Sequence, residues 1–155
     1  MKNKKQVGKA LGRVPSGLFV VTAKCEDKED AVLASWVNQC SFDPPALTIA
    51  LATLRSARLL VEASGGFIVN VLPKDDMTLL KHFSRPPEDI FKGVKTKKGL
   101  DGIRILSGAV AYLECEVAQA MQAGDHFLYV GEIVGGKTLK GGDPYVHVRD
   151  NGFSY

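Results

Sequence analysis

The chain has 155 residues, which suits one domain with a hydrophobic core and is short for two, so we expect a single domain over residues 1–155. Hydrophobic residues make up 45% and charged residues 24% of the sequence, and the formal net charge is +3, all ordinary for a soluble globular protein. No apolar run approaches the ~18 residues of a membrane span, and the basic N-terminus lacks the apolar core of a secretion signal, so we expect a cytoplasmic protein without membrane contacts.

The first third of the chain predicts three strands joined by short connections. Gly17 to Ala23 is β-branched and aromatic enough for a buried strand, and the charged stretch Cys25 to Asp30 indicates a turn. Ala31 to Val37 alternates as the returning strand of a hairpin does, and Ala46 to Ala52 is a third apolar strand. Together these strands favour an antiparallel sheet that closes on itself.

The segment Leu33 to Pro45, LASWVNQCSFDPP, combines polar but mostly uncharged side chains with flanking apolar residues. Its proline pair forbids a helix. We therefore predict a rigid loop whose backbone amides face a ligand, which points to a bound cofactor before a catalytic group. Cys40 has no adjacent histidine that could activate it as a nucleophile.

Leu54 to Ala63 changes to helical spacing, with Ser56 at the predicted N-cap. A helix that starts there directs free amides, a hydroxyl and the guanidinium groups of Arg55 and Arg58 at one small volume, where a phosphate would be stabilised. From this segment alone, a plain capped surface helix with two solvated arginines is the slightly favoured alternative. Gly65 and Gly66 end the predicted helix.

The rest of the chain alternates predicted elements with glycine- or proline-rich connections. Asp75 or Asp76 caps a short helix that contains His82, and Ser84 to Lys98 reads as a long surface loop that covers a ligand or a second subunit. The remaining predictions are strands at Phe67 to Leu72, Val110 to Ala120, His126 to Val134 and Tyr145 to Arg149, a turn at Gly124 and Asp125, and a flexible connection containing Gly135, Gly136, Gly141 and Gly142.

Three other patterns carry no function. GEIVGGKT at Gly131 to Thr138 matches the phosphate-loop pattern, but it continues a strand and no helix fits before Pro144, so we interpret the match as chance. No GxGxxG follows a strand, and the two basic clusters lack interleaved aromatic residues, so we expect no Rossmann unit and no nucleic-acid partner. The cysteines and histidines lack metal-ligand spacing and predict free thiols and no metal site: Cys25, Cys40, Cys115, His82, His126 and His147.

Two segments in this order, Ser35 to Pro45 and Gly124, Asp125 and His126 with Gly131, resemble the flavin reductase family. The resemblance covers Ala10 to Tyr155 and implies a mainly β fold with short helices, the FMN-binding split β-barrel of antiparallel Greek-key type. The ASWV wording and the NGFSY ending are more similar to the branch found as the flavin reductase domain of flavodiiron proteins.

The resemblance also implies roles for individual residues. It places the flavin ring and ribityl chain against one set and the phosphate against a second: Ser35, Trp36, Val37, Asn38, Cys40 and Ser41, then Arg55, Ser56 and Arg58. His126 would orient the nicotinamide or compensate charge on the reduced flavin, with Asp125 fixing its loop. A turn whose Asp and His only satisfy backbone groups is the alternative that the residues alone favour.

By this resemblance the protein is an NAD(P)H:flavin oxidoreductase, a homodimer that binds FMN, with FAD as the alternative, and passes electrons to an acceptor protein. Flavin supplies the redox chemistry, so the protein needs to position the two ring systems and needs no paired carboxylates. The rival hypothesis is a flavin-holding electron-transfer module that a partner protein reduces without NAD(P)H. A third reading, an oxidase of the pyridoxamine-phosphate type, is disfavoured by the Gly-Asp-His segment.

Overall fold

The computed structural model describes residues 1–154 and contains eleven strands and three α-helices there. The strands are β1 Ser16–Gly17, β2 Phe19–Cys25, β3 Lys28–Ala34, β4 Val37–Phe42, β5 Pro45–Ala52, β6 Gly66–Val71, β7 Thr96–Lys98, β8 Arg104–Leu106, β9 Ala111–Ala123, β10 His126–Thr138 and β11 Val146–His147. The helices are α1 Lys4–Gly12, α2 Ser56–Ser64 and α3 Thr78–Ser84, with a 3-10 turn at Leu100–Gly102.

Seven strands form one sheet in the order β3-β2-β6-β9-β10-β5-β4, and every neighbouring pair is antiparallel. The mainly β, antiparallel prediction is thus confirmed. The two edge strands, β3 and β4, are joined by only Ser35 and Trp36. Because Ala34 and Val37 are only three Cα–Cα steps apart, the ends of these strands lie within about 11 Å of each other, and the sheet must roll until its opposite edges nearly meet. Those edges do not pair, so the prediction of a sheet that closes on itself was wrong, and the barrel is split at this point.

The predicted rigid loop at Leu33 to Pro45 is mostly a strand. Val37 to Phe42 forms β4 and pairs with β5, and the Asp43–Pro44 peptide bond is cis. The strand was not predicted because β4 is an edge strand whose residues from Asn38 to Cys40 are exposed. Its sequence therefore lacks the apolar alternation of a half-buried strand. Ser35 and Trp36 form an irregular connection, and Asp43 and Pro44 form the turn between β4 and β5.

The barrel interior is filled by inward side chains from alternate positions of the long strands. Phe67 and Tyr129 are completely buried there. A Cβ added at Gly131 would lie 2.5 Å from the Phe67 ring, so this glycine is required by packing. Gly131 to Thr138 lies wholly within β10, which confirms that the phosphate-loop match is chance.

Helix α2 begins and ends nearly where the sequence predicted. Gly65 takes the left-handed C-cap conformation with φ of 73°, as a glycine there permits. The N-cap position belongs to Arg55, which makes no side-chain cap hydrogen bond, so the prediction of Ser56 as N-cap was wrong. Ser56 is the first helical residue, and its hydroxyl donates to the Asp30 carboxylate on β3.

The C-terminal half departs from the prediction in its glycines. Gly135 and Gly136 are part of β10, where a bulge accommodates them, and do not form a flexible connection. Helix α1 and strand β8 were not predicted.

The loop after α3 is anchored by the His82 ring, whose Nε2 lies 2.7 Å from the Ile90 carbonyl oxygen. The N-cap position of α3 belongs to Met77, which makes no side-chain cap hydrogen bond, so the prediction of Asp75 or Asp76 as the cap was wrong. The Asp76 carboxylate does accept a hydrogen bond from the Thr78 backbone N–H at 2.9 Å.

Candidate functional site

A cleft of about 570 Å³ opens on the outer side of the barrel beside the split. Ligand pockets in proteins typically enclose about 300–1,000 Å³. The cleft lies between the end of β3, the outer face of β5, the start of α2, and the α3 segment with its following loop. Its lining residues are Leu18, Asp30, Ala31, Val32, Leu33, Ala34, Ser35, Ala50, Leu51, Ala52, Arg55, Ser56, Ala57, Leu80, Phe83, Ser84, Pro86, Ile90, Tyr145 and His147.

Ser35 is the buried polar residue of this cleft. It is 4% exposed, and its Oγ has no hydrogen-bond partner among residues 1–154. Ala50 and Ala52 line the cleft beside it with small side chains, which leaves room for a flat group against β5. A buried hydroxyl without a partner is costly in a folded protein, so its presence in a cleft indicates a ligand that supplies the missing partner.

The start of α2 forms one end of the cleft. Arg55 is exposed there, and the first amides of the helix precede its own hydrogen-bond ladder. These groups favour an anion. Asp30 acts in the opposite direction, because its carboxylate accepts hydrogen bonds from the Ser56 hydroxyl and, at 2.7 Å, from the Ala31 backbone N–H. The cleft therefore carries charges of both signs where an anionic group would bind.

Arg58 does not reach the cleft, although the sequence placed it with Arg55. Its guanidinium is buried, donates to the Thr53 carbonyl at 2.9 Å and to the Tyr129 hydroxyl at 3.3 Å, and forms an ion pair with Glu62. The hydrogen bond with Tyr129 is the main cause of a raised pKa of Arg58. Arg58 follows Arg55 by about one helical turn and lies on the face of α2 that packs against the barrel. Arg55 therefore lines the cleft, and Arg58 does not.

The predicted flavin contacts at Val37, Asn38, Cys40 and Ser41 also lie outside the cleft. Val37 is buried in the barrel core, and Asn38 and Cys40 are exposed on β4. The structure thus brings Ser35, Arg55 and Ser56 together at the cleft and leaves those four on the neighbouring edge strand. The prediction missed Tyr145 and His147, which line the cleft, because Tyr145 was considered only as part of a strand and His147 only as a metal ligand.

His126 lies next to the cleft at the start of β10. It pairs with Ala52, and cross-strand partners point to the same face of a sheet. Its Nδ1 is 2.7 Å from the Asp125 carboxylate, and this hydrogen bond is the main cause of a lowered pKa of Asp125. The Asp125 carbonyl accepts hydrogen bonds from the Thr53 backbone and side chain, at 3.0 and 2.9 Å. The turn is therefore fixed to the segment that leads into Arg55.

Neither a metal-ligand cluster nor a membrane-spanning helix is present among residues 1–154. Among residues 1–154, no group of three or more His, Cys, Asp or Glu side chains could hold a metal ion. No helix in that part of the chain is long and apolar enough to cross a membrane. The cytoplasmic location stays a prediction.

A sequence profile described as "Flavin reductase like domain" matches residues 11–154. The chain belongs to the flavin reductase-like family. Diflavin flavoprotein A 1 of Synechocystis sp. is 40% identical to this flavin reductase-like domain over 152 residues, which are 95% of this chain and 26% of that protein. The chain thus spans about a quarter of the length of the curated relatives it matches, with 26% and 27% for two of them.

Solved structures give the same answer for this flavin reductase-like domain. An NADH:FAD oxidoreductase of Streptomyces globisporus, in complex with NAD and FAD fragments, has a TM-score of 0.85 at 25% identity and covers 95% of this chain and 89% of its own. The flavin reductase HpaC complexed with NADP+ has a TM-score of 0.80 at 25% identity, with 93% and 90% covered. These likenesses confirm the split-barrel fold and the recognised family.

The residues of the cleft fit a flavin. A flavin nucleotide needs a flat apolar surface for its ring, polar partners at the ring edge, and a positive environment for phosphate. The outer face at Ala50 and Ala52, the unpartnered Ser35 hydroxyl, and Arg55 at the start of α2 offer these in one continuous cleft. Family membership and this fit together support flavin binding.

Proposed function

We propose that this domain is an NAD(P)H:flavin oxidoreductase that binds FMN in the cleft beside the barrel split. The observation that carries the proposal is the buried Ser35 hydroxyl, which has no partner among residues 1–154 and lies in a cleft that ends at Arg55. The bound flavin supplies hydride acceptance and its onward transfer as electrons. The chain's own residues bind the ring, hold the phosphate and orient the nicotinamide nucleotide.

FMN is the proposed flavin, because Arg55 lies at one end of the cleft beside the Asp30 carboxylate and the cleft has a volume of about 570 Å³. Arg55 faces the phosphate, and riboflavin lacks that group. We therefore expect Arg55→Gln to weaken FMN binding about 5-fold, as removal of one exposed charged contact does, and to leave riboflavin binding unchanged. Fluorescence titration with both flavins measures this. Equal weakening for both would contradict the assigned phosphate end.

His126 is the proposed nicotinamide-orienting residue. Its Nδ1 is held by Asp125, so the ring presents Nε2 beside the cleft. We expect His126→Ala to lower NAD(P)H oxidation at least 10-fold while bound flavin is retained, since positioning of this kind acts on hydride transfer. Gln122→Ala is a matched control, because Gln122 donates to the Gly124 carbonyl of the same turn and pairs with Phe127, not with His126, in the β9–β10 register. Unchanged turnover of His126→Ala would remove the residue from the mechanism.

The first experiment on the whole proposal is a visible spectrum of the purified protein, followed by anaerobic addition of NADH and then NADPH. A yellow protein that bleaches with either nucleotide supports the reductase and identifies its donor. A colourless protein that neither FMN nor FAD reconstitutes would overturn flavin binding.

A flavin-holding electron-transfer module is the second candidate. One observation favours it: the chain matches about a quarter of diflavin flavoprotein A 1, a longer protein whose name implies more than one flavin. A yellow protein that stays oxidised with both nucleotides and bleaches only with dithionite would identify this function. In either case an electron-acceptor protein is the proposed partner.

We also propose that the domain is a homodimer. No strand within residues 1–154 pairs with the outer edge of β4. Phe42 on this strand is 91% exposed, and Leu54 after β5 is 97% exposed. Exposed apolar side chains beside an unpaired strand edge are typical of an interface. Sedimentation velocity of the wild-type protein and of Phe42→Ser tests this, and we expect a dimer and a weakened dimer.

A further inference from the structure

The C-terminal segment that contains β11 faces the molecule with every second side chain. Tyr145, His147 and Arg149 are half-buried, whereas Val146 and Val148 between them are exposed. Successive side chains of an extended segment point to opposite sides, so the three half-buried residues share the inner side. Tyr145 and His147 line the cleft. The cleft therefore has a histidine on its C-terminal wall.

His147 lies at the end of the cleft that also contains Ser35. The start of α2 marks the other end, because its first hydroxyl donates to Asp30 on β3. Asp30 and Ser35 are five residues apart in a nearly extended chain, which separates them by roughly 16 Å. The C-terminal segment passes the Ser35 end, since the Arg149 guanidinium lies 5.5 Å from the centroid of the Trp36 ring. His147 and Ser35 are therefore both far from the proposed phosphate end.

The imidazole of His147 has hydrogen-bonding capacity to offer a ligand. Within residues 1–154 its ring makes no hydrogen bond and no ion pair. An imidazole N–H donates to a carbonyl oxygen or to a ring nitrogen with a lone pair, and the unpartnered Ser35 hydroxyl can donate or accept. The pyrimidine edge of a flavin presents carbonyl oxygens, ring nitrogens and one N–H. This edge therefore matches the polar groups that the cleft offers at the end away from Arg55.

We propose that His147 donates a hydrogen bond to the pyrimidine edge of the bound flavin and thereby shifts the preference of the site toward reduced flavin. This inference rests on the proposed function. Reduction places negative charge on that edge of the ring, and a hydrogen bond to a charged acceptor is roughly twice as strong as one to a neutral acceptor. The two histidines then have separate tasks: His126 orients the nicotinamide nucleotide, and His147 favours the flavin that has accepted the hydride.

The test compares the dissociation constants of oxidised FMN and dithionite-reduced FMN in anaerobic calorimetric titrations. We expect His147→Phe, which keeps a flat ring and removes the donor, to weaken binding of reduced FMN about 10-fold and of oxidised FMN about 2-fold. The ratio of the two constants then changes about 5-fold, which lowers the midpoint potential of bound FMN by about 20 mV. His147→Ala should show the same change, and His147→Gln, which keeps an N–H donor, should restore most of the wild-type ratio. An unchanged ratio in both the Phe and the Ala variant would overturn the proposal.

Two control variants separate this role from a general effect on the cleft. Val146→Thr changes the neighbouring side chain, which is 64% exposed on the opposite side of the segment, and should alter the ratio less than about 2-fold. His126→Ala should also leave the ratio within about 2-fold of the wild-type value, although it lowers NAD(P)H oxidation. A larger change of the ratio in His126→Ala than in His147→Phe would overturn the proposal.

Failure of this inference and failure of the proposed function give different results. Wild-type protein that binds FMN and oxidises a nicotinamide nucleotide, with the same ratio in His147→Phe, would refute the role of His147 alone. Wild-type protein that binds neither oxidised nor reduced FMN would refute the proposed function and this inference with it.

Discussion

Replacement of Ser35 by alanine tests the flavin cleft most directly. The Ser35 hydroxyl is buried and has no partner among residues 1–154, so in the flavin-free protein it contributes a penalty and no hydrogen bond. Such a buried orphan costs about 1–3 kcal/mol, and alanine removes it with the loss of one small atom. We expect Ser35→Ala to raise the free energy of unfolding of the flavin-free protein by about 1 kcal/mol.

The same replacement should weaken flavin binding. In the wild-type protein the flavin both relieves the penalty and gains a hydrogen bond, and alanine forfeits both. We expect a loss of about 1–2 kcal/mol, which is roughly 5- to 30-fold in Kd. Ser35→Ala should thus raise the stability of the flavin-free protein and lower its affinity for flavin. A mutation that merely disturbs packing lowers stability and affinity together.

The assays are urea denaturation of the flavin-free protein and fluorescence titration with FMN. Ser41→Ala is the matched control, because Ser41 lies on β4 outside the cleft, and we expect it to change affinity less than 2-fold. A Ser35→Ala protein with reduced stability and wild-type affinity would refute the reasoning. So would a Ser41→Ala protein with the larger loss of affinity, because the flavin would then lie along β4.

Three further outcomes follow from the charged residues. Arg58→Met should lower the unfolding free energy in urea by about 2 kcal/mol with less effect on FMN affinity than the Arg55 replacement, and unchanged stability would contradict its buried bonding role. Asp30→Asn removes a carboxylate from the start of α2, so calorimetry should show FMN binding tightened about 3- to 10-fold and riboflavin binding unchanged; parallel changes would contradict this. Because the pKa of Asp125 is lowered by its hydrogen bond with His126, its stabilising contribution is present above the ordinary aspartate pKa and lost as pH falls through the lowered value. The stability difference between wild type and Asp125→Asn should therefore shrink in denaturation curves below about pH 4, and a constant difference would argue against the pair.

Strands with a buried face and the helix that ends at Gly65 were predictable from the sequence. Residue patterns within a single element were enough to predict the turn after β2, helix α2 with its Gly65 terminus, and strands β6 and β9. Such a pattern could not predict strand β4, because its place as an edge strand depends on its partner β5 and its own side chains are mostly exposed. The prediction of a closed sheet failed for a related reason, since pairing between the two edge strands depends on the geometry of the whole barrel.

The site was predictable only in part. Ser35, Arg55 and Ser56 meet at the cleft, as the resemblance implied, but residue spacing could not show that Arg58 packs inward against Tyr129. Tyr145 and His147 come from the far end of the chain and reach the cleft through tertiary structure alone. The roles of all these residues in flavin binding stay predictions.

The short connection between β3 and β4 has a consequence for how such chains can diverge. Ser35 and Trp36 are the whole link between opposite edges of the sheet. One inserted residue would shift β4 by one position against β5 and turn Val37, now buried, toward solvent. Changes in chain length should therefore accumulate elsewhere, for example at the exposed Gly141 and Gly142, while the segment that carries the cleft serine keeps a constant number of residues.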